Sequence, residues 1–186
     1  ATTRRLDAPV PVTLSEPNAL LLDQAEWRID GGDWNEREEI LRIDNAVRES
    51  LDLPLRGGQM AQPWTEAEDE TVLASLELRF AIDSETNVSS PLLAIEQPES
   101  VNLTLDGEPV AIDDSGYWVD ESLRTLQLPA IEAGAHELIV RIAYHRKSNV
   151  EWCYLLGDFG VHLAGRDATL TAPVRKLAFD DITRQG

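Results

Sequence analysis

The sequence predicts an all-β fold, an antiparallel sandwich of jelly-roll type that carries one α-helical insertion early in the chain. Three observations predict it. From Thr71 onward apolar residues recur at every second position. The period-two segments are short, and Gly, Pro or Asp turn signals separate them at intervals of about 8 to 12 residues. A helical period is convincing only between Glu36 and Leu51, so there are no recurrent helices to make the crossovers of a parallel sheet.

Residues 1–17 hold Pro9, Pro11 and Pro17 without sustained periodicity and are expected to form an extended lead-in. Leu20, Leu22, Trp27 and Ile29 then predict a strand whose phase shifts once. Gly31 and Gly32, within Asp-Gly-Gly-Asp, end it by supplying the positive φ of a tight turn. The helix is predicted over 36–51, where Ile40, Ile43, Val47 and Leu51 share one face and Arg37, Glu38, Arg42 and Glu49 occupy the rest. Asn35 is expected as its N-cap, with Glu36, Glu38 and Glu39 complementing the helix dipole. Pro54, Gly57, Gly58 and Pro63 then keep 52–64 irregular.

Over 71–83, Val72, Ala74, Leu76, Leu78, Phe80 and Ile82 alternate with smaller or polar residues, the pattern of a strand with one face in a core. Further short strands are expected over 92–95, 101–105, 110–112, 117–119, 125–128, 137–144, 151–156, 161–163 and 168–170. Asp106-Gly107 and Asp113-Asp114-Ser115-Gly116 are among the turns between them. The resulting division is a lead-in over 1–17, a sandwich over 18–173 and a linker to a following domain over 174–186.

Charge excludes two classes of partner. With 34 Asp and Glu against 16 Lys and Arg, the 186 residues carry a formal net charge of −18. Such a surface repels nucleic-acid phosphates and anionic lipid, both of which need Lys and Arg. The hydrophobic fraction of 42% is too high for a disordered acidic tail, so the chain folds. No run approaches the roughly 18 apolar residues that cross a bilayer, and residues 1–6 have no apolar leader, so no export signal is visible and a cytoplasmic location is slightly favoured over a secreted one. The single cysteine, Cys153, lies in the apolar run Trp152-Cys153-Tyr154-Leu155-Leu156 and is expected to be buried and inert.

No cofactor and no metal are expected. His136 and His145 are nine residues apart on or beside one strand, hence on opposite faces and roughly 30 Å apart. His162 stands alone. Asp113, Asp114 and Ser115 offer oxygen ligands to calcium, but an ordinary hairpin turn has the same composition. Paired carboxylates can be drawn anywhere among so many acids, and the cluster at residues 66–70 reads as a solvated surface. No G-x-S-x-G, G-x-x-x-x-G-K or G-x-G-x-x-G stretch occurs.

Aromatic residues carry more information, because sugar rings stack their C–H faces on Trp and Tyr while nearby polar groups take the hydroxyls. Of the five tryptophans, Trp27, Trp34, Trp64, Trp118 and Trp152, Trp64 sits in a Gly/Pro loop and Trp118 follows Tyr117 just after Asp113 and Asp114. Trp64, Trp118 and Tyr117 are the expected stacking platforms, with Asp113 and Asp114 as acceptors of sugar hydroxyls. Trp34 and Trp152 are read as plugs for the sandwich or pins for the helix.

Three stretches together, NALLLDQAEWRIDGGDW from Asn18, the hairpin VNLTLDGEPV with the following GYWVDESLRTLQLPAIEAGAHELIVRIAY, and EWCYLLGDFGV from Glu151, resemble the non-catalytic β-sandwich region of large bacterial glycoside hydrolases. The resemblance is to the family 2 sugar-binding type and to rhamnosidase-like proteins. Asp106-Gly107-Glu108-Pro109-Val110, Asp120 and Gly134-Ala135-His136-Glu137-Leu138 fill its motif slots, with His136 where Asn is common. The resemblance implies a galactose-binding-like jelly roll and an accessory module that presents carbohydrate to the catalytic domain of its own polypeptide. A purely structural module that packs on that domain is the alternative, and a complete small hydrolase a third reading. No catalytic residue is carried over.

Overall fold

In the computed structural model, residues 9–56 and 71–177 are described. In chain order the elements are β1 (Val10–Pro11), β2 (Asn18–Leu22), β3 (Gln24–Ile29), β4 (Asn35–Glu39), α1 (Ile40–Ser50), β5 (Ala74–Ser84), β6 (Leu92–Glu96), β7 (Val101–Leu105), β8 (Glu108–Val110), β9 (Asp114–Trp118), β10 (Asp120–Gln127), β11 (Gly134–Tyr144), β12 (Cys153–Gly157), β13 (Gly160–Ala164), β14 (Asp167–Thr171) and β15 (Lys176–Leu177). The fold is an antiparallel β-sandwich with one helix.

One sheet runs in the order β2-β12-β6-β10-β9. In the other, β11 pairs with the full length of β5 from Ala74 to Ser84 and β7 lies on its far side. The second edge of β5 is shared: β3 takes Leu76 to Arg79, and β14 takes Asp83 and Ser84 in the fold's one parallel pairing among the described strands. From β5 onward the chain passes back and forth between the sheets, in the manner of a jelly roll. A two-stranded ribbon of β1 and β15 brings residues 10–11 against 176–177.

The inward faces of both sheets merge in one apolar core. Leu76, Leu78, Phe80 and Ile82 of β5 meet Leu138 and Val140 of β11 on one side and Leu93, Leu126 and Leu155 of the five-stranded sheet on the other. Of the period-two face predicted for this strand, Ala74 to Ile82 is buried, whereas Val72 lies before β5 and is exposed. Removing the Phe80 ring would cost about 3–5 kcal/mol through lost transfer energy and the cavity left behind.

Several sequence expectations are corrected. The segment containing Leu20 to Ile29 is two strands in different sheets, and the phase shift falls at Asp23, where the chain changes sheet. Its turn uses the positive φ of Asp30 (51°) and Gly31 (70°), not of Gly32. The helix starts four residues later than predicted, at Ile40, because residues 35–39 form a strand hydrogen-bonded to β3. Glu39 is therefore the N-cap in place of Asn35, accepting from the backbone N–H groups of Leu41 and Arg42 at 3.1 Å each, and the first turn contains no acid. Asp113-Asp114-Ser115-Gly116 is not a turn either: Asp114 opens β9, and the reversal lies at Val119 (φ 65°).

Candidate functional site

At one end of the sandwich a cleft of about 430 Å³ opens between the β6–β7 corner and the loop that joins β11 to β12. Its floor is core: Leu78, Phe80, Val140, Ile142, Ile95 and Cys153 all line it. Its mouth is polar, with Glu96, Gln97, Glu99 and Ser100 on one side and His145, Lys147, Ser148, Asn149 and Glu151 on the other. Such a pocket, apolar below and polar above, takes a ligand that has a hydrophobic face and a hydroxylated or charged edge.

The β11–β12 wall is held from behind by the helix. Asp44 lies on the apolar face of α1, beside Ile43 and Val47, and is fully buried. A buried carboxylate needs partners, and Asp44 has three: the Tyr144 hydroxyl donates to it at 2.5 Å, Arg48 Nε donates at 3.0 Å, and Arg56 Nε lies 3.6 Å away. Both arginines continue into the wall, where Arg48 donates to the Ser148 carbonyl at 2.6 Å and Arg56 to the Val150 carbonyl at 2.5 Å. Arg56 also bonds Asn149 Oδ1 and the Glu151 carboxylate. Burial, and then the charge of Asp44 facing it, hold the Tyr144 phenol protonated well above its ordinary range.

The β6–β7 corner is built differently. Gln97 adopts a left-handed backbone (φ 49°), and its carbonyl accepts from the Ser100 N–H at 3.0 Å, closing a 3₁₀ turn over Pro98–Ser100. No hydrogen bond or ion pair engages the Glu96 or Glu99 carboxylate among the described residues. Burial first, then the negative charges of Glu151 and Asp120, push the Glu96 carboxyl above the usual carboxylate range. On the opposite wall the His145 Nδ1 atom is buried and makes no hydrogen bond. Cys153 in the floor has its thiol pushed up to about 12 by burial, so it is protonated and a poor nucleophile at neutral pH.

The residues predicted from the sequence lie elsewhere. Tyr117 and Trp118 are on β9, the edge of the five-stranded sheet, where Tyr117 is exposed and the Trp118 ring packs on Tyr154 with centroids 4.9 Å apart. Asp114 is occupied: it accepts from the Gly116 N–H at 2.9 Å and from Arg124 Nε at 2.8 Å, which lowers its pKa. Asp113 is exposed in the loop before β9. Trp64, and the acids at 66–70, fall outside the described residues. The guanidinium groups of Arg28 and Arg79 each lie over the Trp34 ring, 4.4 and 4.1 Å from its centre, and Trp152 donates to Glu39 Oε1 at 2.9 Å, which ties the start of β12 to the helix N-cap.

The cleft residues escaped sequence reading because they come from segments 50 residues apart in the chain, a polar corner near 97 and a polar loop near 148. Asp44 did leave a signal, a charge on an apolar helix face with Arg48 one turn later. A second groove of about 490 Å³ lies between β2 and the β13–β14 hairpin, but its polar groups bind one another: Arg166 donates to Gln24 at 2.7 Å, and Asp167 pairs with Arg37 at 2.9 Å. Among the described residues, no group of three or more His, Cys, Asp or Glu side chains is placed to hold a metal ion. Among them too, no helix is long and apolar enough to cross a membrane.

The sequence matches no protein-family model and no curated protein. Among solved structures it is similar to two of a GH2 β-galacturonidase from Eisenbergiella tayi, one bound to glycerol and one to galacturonate. Identity is 10% in both, with TM-scores of 0.42 and 0.43 over 89% and 86% of this chain. The chain spans only 29% and 30% of those chains. Likeness at this level is too loose to bear on activity.

Proposed function

We propose that this chain is an accessory, non-catalytic carbohydrate-binding module of a bacterial glycoside hydrolase and that the end cleft is its sugar site. The observation that carries the reading is the cleft itself, whose apolar floor suits the C–H face of a pyranose while Gln97, Ser100, Asn149 and the carboxylates above it suit hydroxyls. A volume of about 430 Å³ has room for one or two sugar rings. The resemblance of the stretches from Asn18, Val101 and Glu151 to the sandwich modules of such enzymes supports the same reading.

NMR titration with a panel of mono- and oligosaccharides tests it. Amide shifts clustered in 95–101 and 145–151 are the expected result, whereas silence at millimolar sugar overturns the assignment. Shifts confined to 114–118 and Tyr154 would move the site to the edge strand, where Tyr117 and Trp118 are the platforms. Release of aryl glycoside products by the isolated chain would overturn its non-catalytic character.

A second reading, a scaffold that packs on the catalytic domain of its polypeptide, is favoured by apolar side chains outside the core. Leu21 is 40% exposed directly opposite Tyr154, and Leu163 is 70% exposed. It predicts weak sugar binding but measurable association with that domain.

A further inference from the structure

We infer that the end cleft sorts sugars by charge, taking a hexosamine with a protonated amine ahead of the neutral hexose and disfavouring a uronate. This rests on the reading of the cleft as a sugar site. The reason lies in which charges at the mouth are already spent. Arg56 is committed to the Asp44 carboxylate, the Val150 carbonyl, Asn149 and Glu151, and Lys147 also has a partner. Glu96 and Glu99, on the facing corner, are engaged by no hydrogen bond or ion pair among the described residues.

A carboxylate only accepts hydrogen bonds. Glu96 and Glu99 are therefore each without a donor among the described residues, and a charged donor forms the stronger bond. The Glu96 pKa is displaced upward by burial and then by the negative charges of Glu151 and Asp120, which the nearby Arg56 offsets only in part. An ammonium at the corner that carries Glu96 and Glu99 supplies the remaining balance, while a sugar carboxylate placed there meets like charge. The apolar floor is indifferent to the substituent, so the three sugars share their stacking energy and differ only in the charge contribution. For partly hydrated groups at contact, one such interaction corresponds to about a fivefold change in affinity.

The test is a matched series, galactose, galactosamine and galacturonate, titrated at pH 7 into the full chain and into a Glu96→Gln, Glu99→Gln double variant, with amide shifts in 95–101 and 145–151 as readout. The expected order is galactosamine about fivefold tighter than galactose and galacturonate about fivefold weaker, with the spread collapsing in the double variant. Raising salt should weaken galactosamine alone in the unmodified chain, a measurement independent of how the variant folds. Galacturonate binding as tightly as galactose, or a spread that survives both the substitution and salt, overturns the charge selection and leaves the sugar site standing. If none of the three shifts these amides, the sugar site falls and the inference with it.

Discussion

Strand β11 ends in a histidine region at both extremities, and the two ends of the sandwich differ in what their polar groups do. At one end His136 has both ring nitrogens engaged, Nδ1 at 2.7 Å from Asp106 Oδ2 and Nε2 at 2.9 Å from the Glu132 carbonyl, while Asp106 also accepts from the Glu137 N–H. That end is closed by mutual satisfaction. At the other end His145 keeps a buried Nδ1 without a hydrogen bond, Glu96 and Glu99 have no partners among the described residues, and a cleft reaches the core. The lesson is that polar residues seal an end only when donors and acceptors are matched within it. Where the helix has claimed the cations, acceptors are left over.

The largest effect on this contrast should come from Asp44→Ala. It strands the Tyr144 hydroxyl and two guanidinium groups, and loss of one partner from a buried charged cluster costs about 3–5 kcal/mol. Urea denaturation should report that loss. A value under 1 kcal/mol would mean that the helix does not brace the cleft wall.

Arg56→Ala comes next, at about 2 kcal/mol for hydrogen bonds to charged and carbonyl groups. Its sharper signature is local. Hydrogen exchange should accelerate at amides 148–151 and not at 135–138, and uniform acceleration would show that the two ends are not independent.

At the closed end, Asp106→Asn should cost about 1 kcal/mol or less, since Asp106 is half exposed and solvent screens the pair. The cost should depend on pH. The hydrogen bond from His136 to Asp106 is the main cause raising the His136 pKa above its ordinary value, so the pair's stabilisation is full below about pH 6.5. It fades as pH rises through the elevated folded value. Thermal melts of both proteins at pH 5.5 and 8.5 should therefore converge on the alkaline side, and a gap that does not narrow would show that charge is not what closes this end.

The smallest effect is expected for Glu96→Gln, within about 0.5 kcal/mol, and its sign is informative. A carboxyl whose pKa is raised on folding contributes stability that is present below its unfolded value and lost as pH rises through the folded one. The glutamine variant should thus equal or slightly exceed the parent at pH 7. A clear loss would reveal a partner for Glu96. Glu77 gives the opposite control: burial opposes its ionisation, but hydrogen bonds from Arg28 and Arg141 outweigh that and hold its pKa low. Its contribution is present above the ordinary glutamate value and lost as pH falls through the lowered one.

Much of the fold was legible because periodicity is a local record of burial. The alternation of Leu76, Leu78, Phe80 and Ile82, the Asp106-Gly107 hairpin with both residues at positive φ, and the helix face of Ile40, Ile43 and Val47 are all set by residues within a few positions of one another. The helix start was not legible. Residues 35–39 read as a helix N-terminus by composition, yet strand pairing with β3 takes their backbone hydrogen bonds. Local propensity lost to a tertiary partner. The same holds for Asp114, whose side chain looks available in the sequence and is claimed by Arg124 ten residues on.

By itself, then, the sequence determined the all-β class, the single helix, the core faces and a net charge of −18. The tertiary structure alone decided where the cleft lies and which charges at its mouth remain uncommitted. Pairing Asp44 with Tyr144, Arg48 and Arg56 depends on contacts up to 100 residues apart in the chain. Whether a carboxylate is spent or free follows from the cations that reach it in space, and sequence spacing contains no measure of that distance.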